Sequence, residues 1–191
     1  MMFYIAIFAS GSGSNAENIA KHFLSNPKFK ITLIATENPN AFVLERAKRL
    51  GIPTFLFTMD ELRNGSVLSK LIEQKIDFIV LAGFLKMVPV EMVRHYNNRI
   101  VNIHPALLPK YGGKGMYGYR VHKAVIAAGE TESGITIHYV NEHYDEGDVI
   151  FQASCEVLPT DTPETLAQRV HRLEWEYYPK VIEHLIQGKC G

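Results

Sequence analysis

Short runs that are apolar at nearly every position recur along the first hundred residues, at 3–9, 31–36, 78–82 and 100–104, with a brief one at 54–57. Continuous apolar runs of this length suit strands buried on both faces, as in a parallel sheet. Between them apolar positions fall three or four apart, over residues 15–24, 42–50, 67–74 and 89–96, which predicts amphipathic helices. Gly51 and Pro53 end the second helix, and Pro89 opens the last, where its missing N–H costs nothing. Strand–helix alternation of this kind predicts a parallel sheet wound right-handedly, with helices on both faces.

The second half reads differently. Residues 112–118 are rich in glycine and predict a loop, followed by a helix over 119–128. Residues 134–140 alternate Ile135, Ile137 and Tyr139 with Thr136 and His138, and 149–157 form another strand after a turn containing Gly147. This pair is expected to be antiparallel and added to the sheet. A long helix starts at Thr162-Pro163-Glu164, with Thr162 as its cap. Leu166, Val170, Leu173 and Tyr177 make its apolar stripe, and Pro179 is expected to kink or break it. No repeat, low-complexity tract or linker interrupts the chain, so a single domain is expected over 1–191: α/β, Rossmann-like, with a mostly parallel sheet and an antiparallel C-terminal addition.

Charge and composition narrow the partners. Twenty basic residues match twenty acidic ones, so no general attraction to nucleic acid or to a membrane is expected, and any phosphate site must be local. No apolar run approaches a membrane span, and the first residues lack the basic start and cleavage site of a signal peptide. Two cysteines, Cys155 and Cys190, read as structural thiols of a reduced, cytoplasmic protein.

The candidate chemistry centres on Asn102-Ile103-His104-Pro105. Residues i and i+2 of a strand share a face, so Asn102 and His104 project together at a carboxyl end, where open α/β sheets keep their ligand sites. An amide can donate to a developing oxyanion, and an imidazole can move a proton near neutral pH, which suits acyl-type transfer. Ser10-Gly11-Ser12-Gly13-Ser14-Asn15 follows the first strand and opens a helix, the setting of a phosphate loop, and Ser14 with Glu17 can form a capping box. Gly11-x-Gly13-x-x-Ala16 also matches a dinucleotide fingerprint, with Glu37 as its acid, but that reading predicts nothing about Asn102 or His104 and ranks lower. His138 and His143 lack a third ligand, so no metal is expected. A carboxylate from Asp145 or Asp148 is a candidate to face His104 and raise its pKa, and spacing does not choose between them. Phe84-Leu85-Lys86-Met87-Val88 reads equally as core or as the apolar wall of a pocket for a flat ring. No Gly-x-Ser-x-Gly elbow is present, which disfavours a serine hydrolase.

These segments resemble the folate-dependent phosphoribosylglycinamide formyltransferases over nearly the whole chain. The resemblance is carried by the Gly11–Asn15 loop, Asn40-Ala41-Phe42 with Leu44-Glu45-Arg46-Ala47, Leu81-Ala82-Gly83-Phe84, Asn102-Ile103-His104-Pro105 with Leu107-Leu108-Pro109, Gly134-Ile135-Thr136-Ile137-His138, and Asp145-x-Gly147. It implies a nucleotide phosphate on Gly13, Ser14 and Asn15, with Gly11 and Ser12 shaping the turn, and a nucleotide contact at Glu174. It implies that Leu85, Lys86, Met87 and Val88, with Asn102, Val140 and the loop to Asp145, hold 10-formyltetrahydrofolate as co-substrate, largely through backbone groups. Asn102, His104 and Asp145 would be catalytic, and the partners would be small molecules, with the chain a monomer or homodimer.

The sequence departs from the family at Ala106, where serine is usual, in a longer loop over 112–119, and after the third strand, where Phe57-Thr58-Met59 lacks the usual basic residue and Arg63 is the nearest substitute. Methionyl-tRNA formyltransferases share the Asn-x-His and aspartate pattern, but they lack the phosphate loop and add an RNA-binding domain. Formyltetrahydrofolate hydrolases carry an extra N-terminal domain. A non-catalytic nucleotide-binding module would need the loop but leave Asn102, His104 and Asp145 idle.

Overall fold

The structure is a computed structural model and describes residues 2–188, so Cys190 lies outside the described residues. The chain divides into two compact units, one made of the residues through Val101 with those from Ile186 on, the other Asn102–Leu185.

In the first unit, β1 (Phe3–Phe8), β2 (Phe29–Thr36), β3 (Thr54–Leu56) and β4 (Phe78–Leu81) alternate with helices α1 (Ser14–Phe23), α2 (Val43–Leu50), α3 (Met59–Arg63), α4 (Ser66–Glu73) and α5 (Val90–His95). β1 lies between β2 and β4 and β3 flanks β2, each of these pairings being parallel. Ile5, Ala6 and Ile7 of β1 and Ile79 and Val80 of β4 are fully buried, as continuous apolar runs demand. Phe8 packs edge-on against Phe84 at 5.3 Å and tilted against Phe57 at 5.8 Å.

β5 (Ile100–His104) carries the chain into the second unit, which holds α6 (Tyr119–Ala127), β6 (Glu132–Tyr139), β7 (Val149–Glu156) and most of α7 (Pro163–Gly188). β6 and β7 are antiparallel, as their alternation predicts. The seven strands are hydrogen-bonded in the order β3-β2-β1-β4-β5-β6-β7, a mixed, mostly parallel sheet with helices around it. The order reverses between β1 and β4, a switch point of the kind that opens a ligand crevice at the strands' carboxyl ends. Among the described residues no helix is long and apolar enough to cross a membrane.

Three expectations need correction, and one helix goes beyond them. Pro179 neither breaks α7 nor ends it, because the 26-residue helix is held by tertiary burial of Leu166, Val170, Tyr178 and Ile182, which outweighs one lost hydrogen bond. Its buried stripe runs through Glu174 and Tyr178 instead of Leu173 and Tyr177, which are only half-buried; a carboxylate on the apolar face disguised the pattern. Ser14 and Glu17 form no capping box: Gly13 is the N-cap of α1 with no side-chain cap, and Glu17 pairs with Lys21 and Arg46. Finally, α3 was not expected, although Thr58 and Glu61 form a capping box that its sequence spells out.

Candidate active site

Two groups of candidate residues are each assembled within one unit. In the first unit the loop after β1 and the strip after β4 flank the switch point. Ser10 joins them: its hydroxyl accepts the Leu85 N–H at 3.0 Å and donates to Glu37 Oε2 at 3.1 Å, while its carbonyl accepts from Asn38 Nδ2 at 3.1 Å. Glu37, the acid of the dinucleotide reading, is thus engaged by Ser10, with Lys86 Nζ 4.0 Å from its other oxygen. Gly11 and Ser12 are exposed, and Gly13, Ser14 and Asn15 begin α1, whose first N–H groups suit an anion. The strip over 84–88 divides between the two readings offered for it. Phe84 and Val88 are buried core, whereas Leu85, Lys86 and Met87 are exposed.

In the second unit Asn102, His104, His138 and Asp145 converge. The Asn102 amide nitrogen lies 3.1 Å from His138 Nε2 and donates to Asp145 Oδ1 at 3.4 Å. His138 Nδ1 lies 2.8 Å from the Tyr139 carbonyl, and its Nε2 lies 3.6 Å from Asp145 Oδ1. His104 Nε2 lies 2.7 Å from the Tyr111 carbonyl, and its Nδ1 lies 3.5 Å from Asp145 Oδ2. Asp145, at φ 55, also accepts the Gly113 N–H at 2.9 Å. The Asp145-x-Gly147 spacing has a steric cause: a Cβ on Gly147 would meet the Tyr139 carbonyl oxygen at 1.7 Å, so only glycine lets this turn close. Asp148 contributes its backbone carbonyl, which accepts the Tyr139 N–H at 2.9 Å. Val140 is half-buried just past the end of β6.

Burial lowers the His104 pKa below its ordinary value; Asp145 and the Tyr111 carbonyl oppose this, His138 adds to it, and Glu174 opposes it. Burial pushes the Asp145 carboxyl up, but His138, the charge of His104 and the Gly113 N–H together hold it below the usual range. Glu174 is buried in α7 and lies 2.7 Å from His171 Nδ1, a contact that raises the His171 pKa against the effect of burial. His122 of α6 is fully buried, and burial pulls its pKa down to about 4, with His171 adding to the fall and Glu174 opposing it. Among the described residues no cluster of three or more His, Cys, Asp and Glu is placed to hold a metal ion, and His143 lies in the loop after β6.

The arrangement can place an amide donor, a titratable imidazole and a carboxylate around one reacting centre. Sequence reasoning missed the Tyr111 carbonyl, the Gly113 N–H and the pairing of His138 with Asn102. It also missed Thr136, whose hydroxyl donates to the Ala106 carbonyl at 2.7 Å and accepts the Leu108 N–H at 2.9 Å. Only His138 carried a signal, its i+2 alternation with Thr136 on β6.

The fold and the site together are those of an α/β enzyme with a donor, an imidazole and a carboxylate suited to group transfer. The formyl transferase family profile matches residues 3–182, and the chain belongs to that family. It is 41% identical over 93% of its length to a chloroplastic phosphoribosylglycinamide formyltransferase of Arabidopsis thaliana, and 37% identical over 95% of its length to the phosphoribosylglycinamide formyltransferase of Bacillus subtilis, of which it covers 93%. It spans 63% and 61% of the length of the two plant relatives it matches. A solved phosphoribosylglycinamide formyltransferase from Anaplasma phagocytophilum superposes with a TM-score of 0.89 at 34% identity, covering 99% of this chain and 89% of that one.

Proposed function

We propose that the chain transfers the formyl group of 10-formyltetrahydrofolate to the amine of glycinamide ribonucleotide, a step of de novo purine synthesis. The observation that carries this reading is the convergence of Asn102, His104 and Asp145 within hydrogen-bonding and ion-pairing reach. Family membership supports the reaction class, and the names of the relatives support the acceptor.

In the proposed mechanism the acceptor amine attacks the formyl carbon directly. Asn102 donates to the formyl oxygen, exchanging its long 3.4 Å contact with Asp145 for the developing oxyanion. His104, whose two nitrogens face Asp145 and the Tyr111 carbonyl, stabilises the tetrahedral intermediate in its protonated form and passes a proton onward. Asp145 holds that charge and takes part in removing the amine proton through water; the intermediate then collapses as the bond between the formyl carbon and the folate nitrogen breaks, and tetrahydrofolate departs with a proton on that nitrogen. Gly11, Ser12, Gly13, Ser14 and Asn15 receive the nucleotide phosphate and Glu174 its remainder. Leu85, Lys86, Met87, Val88 and Val140 receive the folate. A single catalytic domain, working in the cytoplasm as a monomer or homodimer, completes the reading.

The test is a formyl-transfer assay with 10-formyltetrahydrofolate and glycinamide ribonucleotide, following the folate absorbance. Turnover that requires the nucleotide and is lost in His104→Ala supports the proposal. Folate cleavage without the nucleotide would replace it with a hydrolase, and binding without any turnover would replace it with a non-catalytic module.

A further inference from the structure

Arg46 lies on α2, a helix that contributes nothing to the chemistry above, yet its guanidinium is turned onto the phosphate loop. Its Nε donates to the Ser12 carbonyl at 2.8 Å, and its terminal nitrogen pairs with Glu17 of α1. The Phe42 ring lies 5.0 Å from its Cζ, and Glu17 is held in turn by Lys21 at 2.6 Å. The side chain is only 24% exposed, so a long flexible group is fixed on three sides.

The consequence follows from peptide geometry. In a planar trans peptide the carbonyl of one residue and the N–H of the next point in opposite directions. The Ser12 carbonyl faces Arg46, so the Gly13 N–H is turned away from α2. One peptide earlier, the Gly11 carbonyl accepts the Val43 N–H at 3.1 Å, so the Ser12 N–H is turned away as well. Two successive N–H groups presented on one side of a turn form an anion-binding concavity. The first of these peptides is fixed by backbone alone, and the second depends on one side chain. Without Arg46 the Ser12–Gly13 peptide loses the partner of its carbonyl and gains freedom to rotate. Lysine is no equivalent, because an ammonium lacks the fork that serves the carbonyl and the carboxylate together.

We propose that Arg46 is a positioning residue that orients the Ser12–Gly13 peptide, and that it thereby sets the preference of the site for a phosphorylated acceptor over its dephosphorylated counterpart. This rests on the reading of the Gly11–Asn15 loop as the nucleotide phosphate site. Arg46 itself touches no substrate; its effect passes through the Gly13 N–H.

The experiment compares the full chain with Arg46→Ala and Arg46→Lys. Calorimetry measures the affinities for glycinamide ribonucleotide and for glycinamide riboside, which lacks the phosphate, and steady-state kinetics gives kcat and KM. In Arg46→Ala the nucleotide affinity is expected to fall about tenfold, the loss typical of a charge-assisted hydrogen bond, while riboside affinity stays within about twofold. KM for the nucleotide rises in step and kcat at saturation changes little, with Arg46→Lys falling between. A purely structural lesion would weaken both ligands alike, so an unchanged ratio of nucleotide to riboside affinity in Arg46→Ala overturns the proposal. If Arg46→Ala does not fold, Arg46→Lys decides: a ratio equal to that of the parent overturns the proposal, and a reduced ratio supports it. A parent chain that does not distinguish nucleotide from riboside refutes the phosphate-site reading itself, and the proposal with it. A parent that does distinguish them, beside an unchanged variant ratio, refutes Arg46 alone.

Discussion

Gly13→Ala is the sharpest test of how the Gly11–Asn15 loop is built. Gly13 sits at φ 73, and a Cβ placed on it would lie 2.3 Å from Val43 Cγ2, 2.5 Å from Val43 Cβ and 2.9 Å from Val43 Cα. The left-handed conformation costs an L-residue roughly 1–2 kcal/mol. The second cost is overpacking. Val43 is fully buried and two of the three approaching atoms are its Cα and Cβ, so no side-chain rotation relieves the contact. Backbone displacement in a packed interior costs about 1–3 kcal/mol. Together the substitution should cost roughly 2–5 kcal/mol, which for a chain of this size lowers Tm by about 4–20 °C. Gly11→Ala is the control, because its Cβ would meet nothing within 4 Å and it has no left-handed φ. It should shift Tm by less than about 2 °C. Thermal unfolding followed by circular dichroism reads both. Gly13→Ala melting within about 2 °C of the parent would show that α2 does not abut the loop as described, and the packing argument would fail.

Asn102→Ala and His104→Ala should each reduce turnover about a hundredfold or more, since losing an oxyanion donor costs roughly 2.7–4 kcal/mol of barrier; parental turnover in either variant removes that residue from the mechanism. His122 gives a pH signature. Its folded pKa, about 4, lies below the ordinary value of 6.5, so between the two the unfolded chain binds more protons and stability is lost as pH falls. In urea titrations at pH 7 and pH 4.5, His122→Phe should lose less stability on acidification than the parent, and parallel losses would refute the assignment. Asp161 works in the other direction at lower pH. Its carboxyl, paired with Arg169 Nη1 at 2.6 Å and bonded to the Leu158 N–H at 2.8 Å, is held far below its ordinary value. Its stabilisation is therefore complete above about pH 4 and is lost as pH falls further. Asp161→Asn should destabilise the chain at pH 7, with the gap to the parent closing in acid; a gap independent of pH would contradict this.

The fold was legible where burial and periodicity agree. β1 and β4 are apolar at nearly every position, β5 is apolar except at Asn102 and His104, and the alternation of Ile135 and Ile137 marked β6. The errors came where a local rule met a tertiary override. Pro179 is a helix breaker on intrinsic grounds, but burial of Tyr178 and Ile182 on either side keeps α7 continuous. Ser14 and Glu17 have the spacing of a capping box, but two cations compete for Glu17: Lys21 one turn along, and Arg46 from another helix. Only the first is visible locally.

The candidate site divides along a similar line. Asn102, His104 and Asp145 are legible because their side chains carry the proposed chemistry and the Asn-x-His spacing places two of them on one strand face. The Tyr111 carbonyl on His104, the Gly113 N–H on Asp145 and the Ser12 carbonyl on Arg46 are backbone groups that any residue supplies, so residue identity does not announce them. Each is nevertheless governed by a side chain distant in sequence. The Tyr111 hydroxyl donates to Glu130 at 2.8 Å, where Lys110 also binds at 2.9 Å, Asp145 holds Gly113, and Arg46 holds Ser12. Such backbone contacts leave their trace in the residues that orient the peptide, and of these Glu130 and Arg46 carry none of the proposed chemistry themselves. For His104 the consequence is direct. With a carbonyl on one ring nitrogen and a carboxylate near the other, both sites favour a proton, while burial opposes the charge that two protons bring. Burial is the largest of these effects and holds the His104 pKa below its ordinary value, and moving Asp145 or the Tyr111 carbonyl away would remove what opposes it and lower the pKa further.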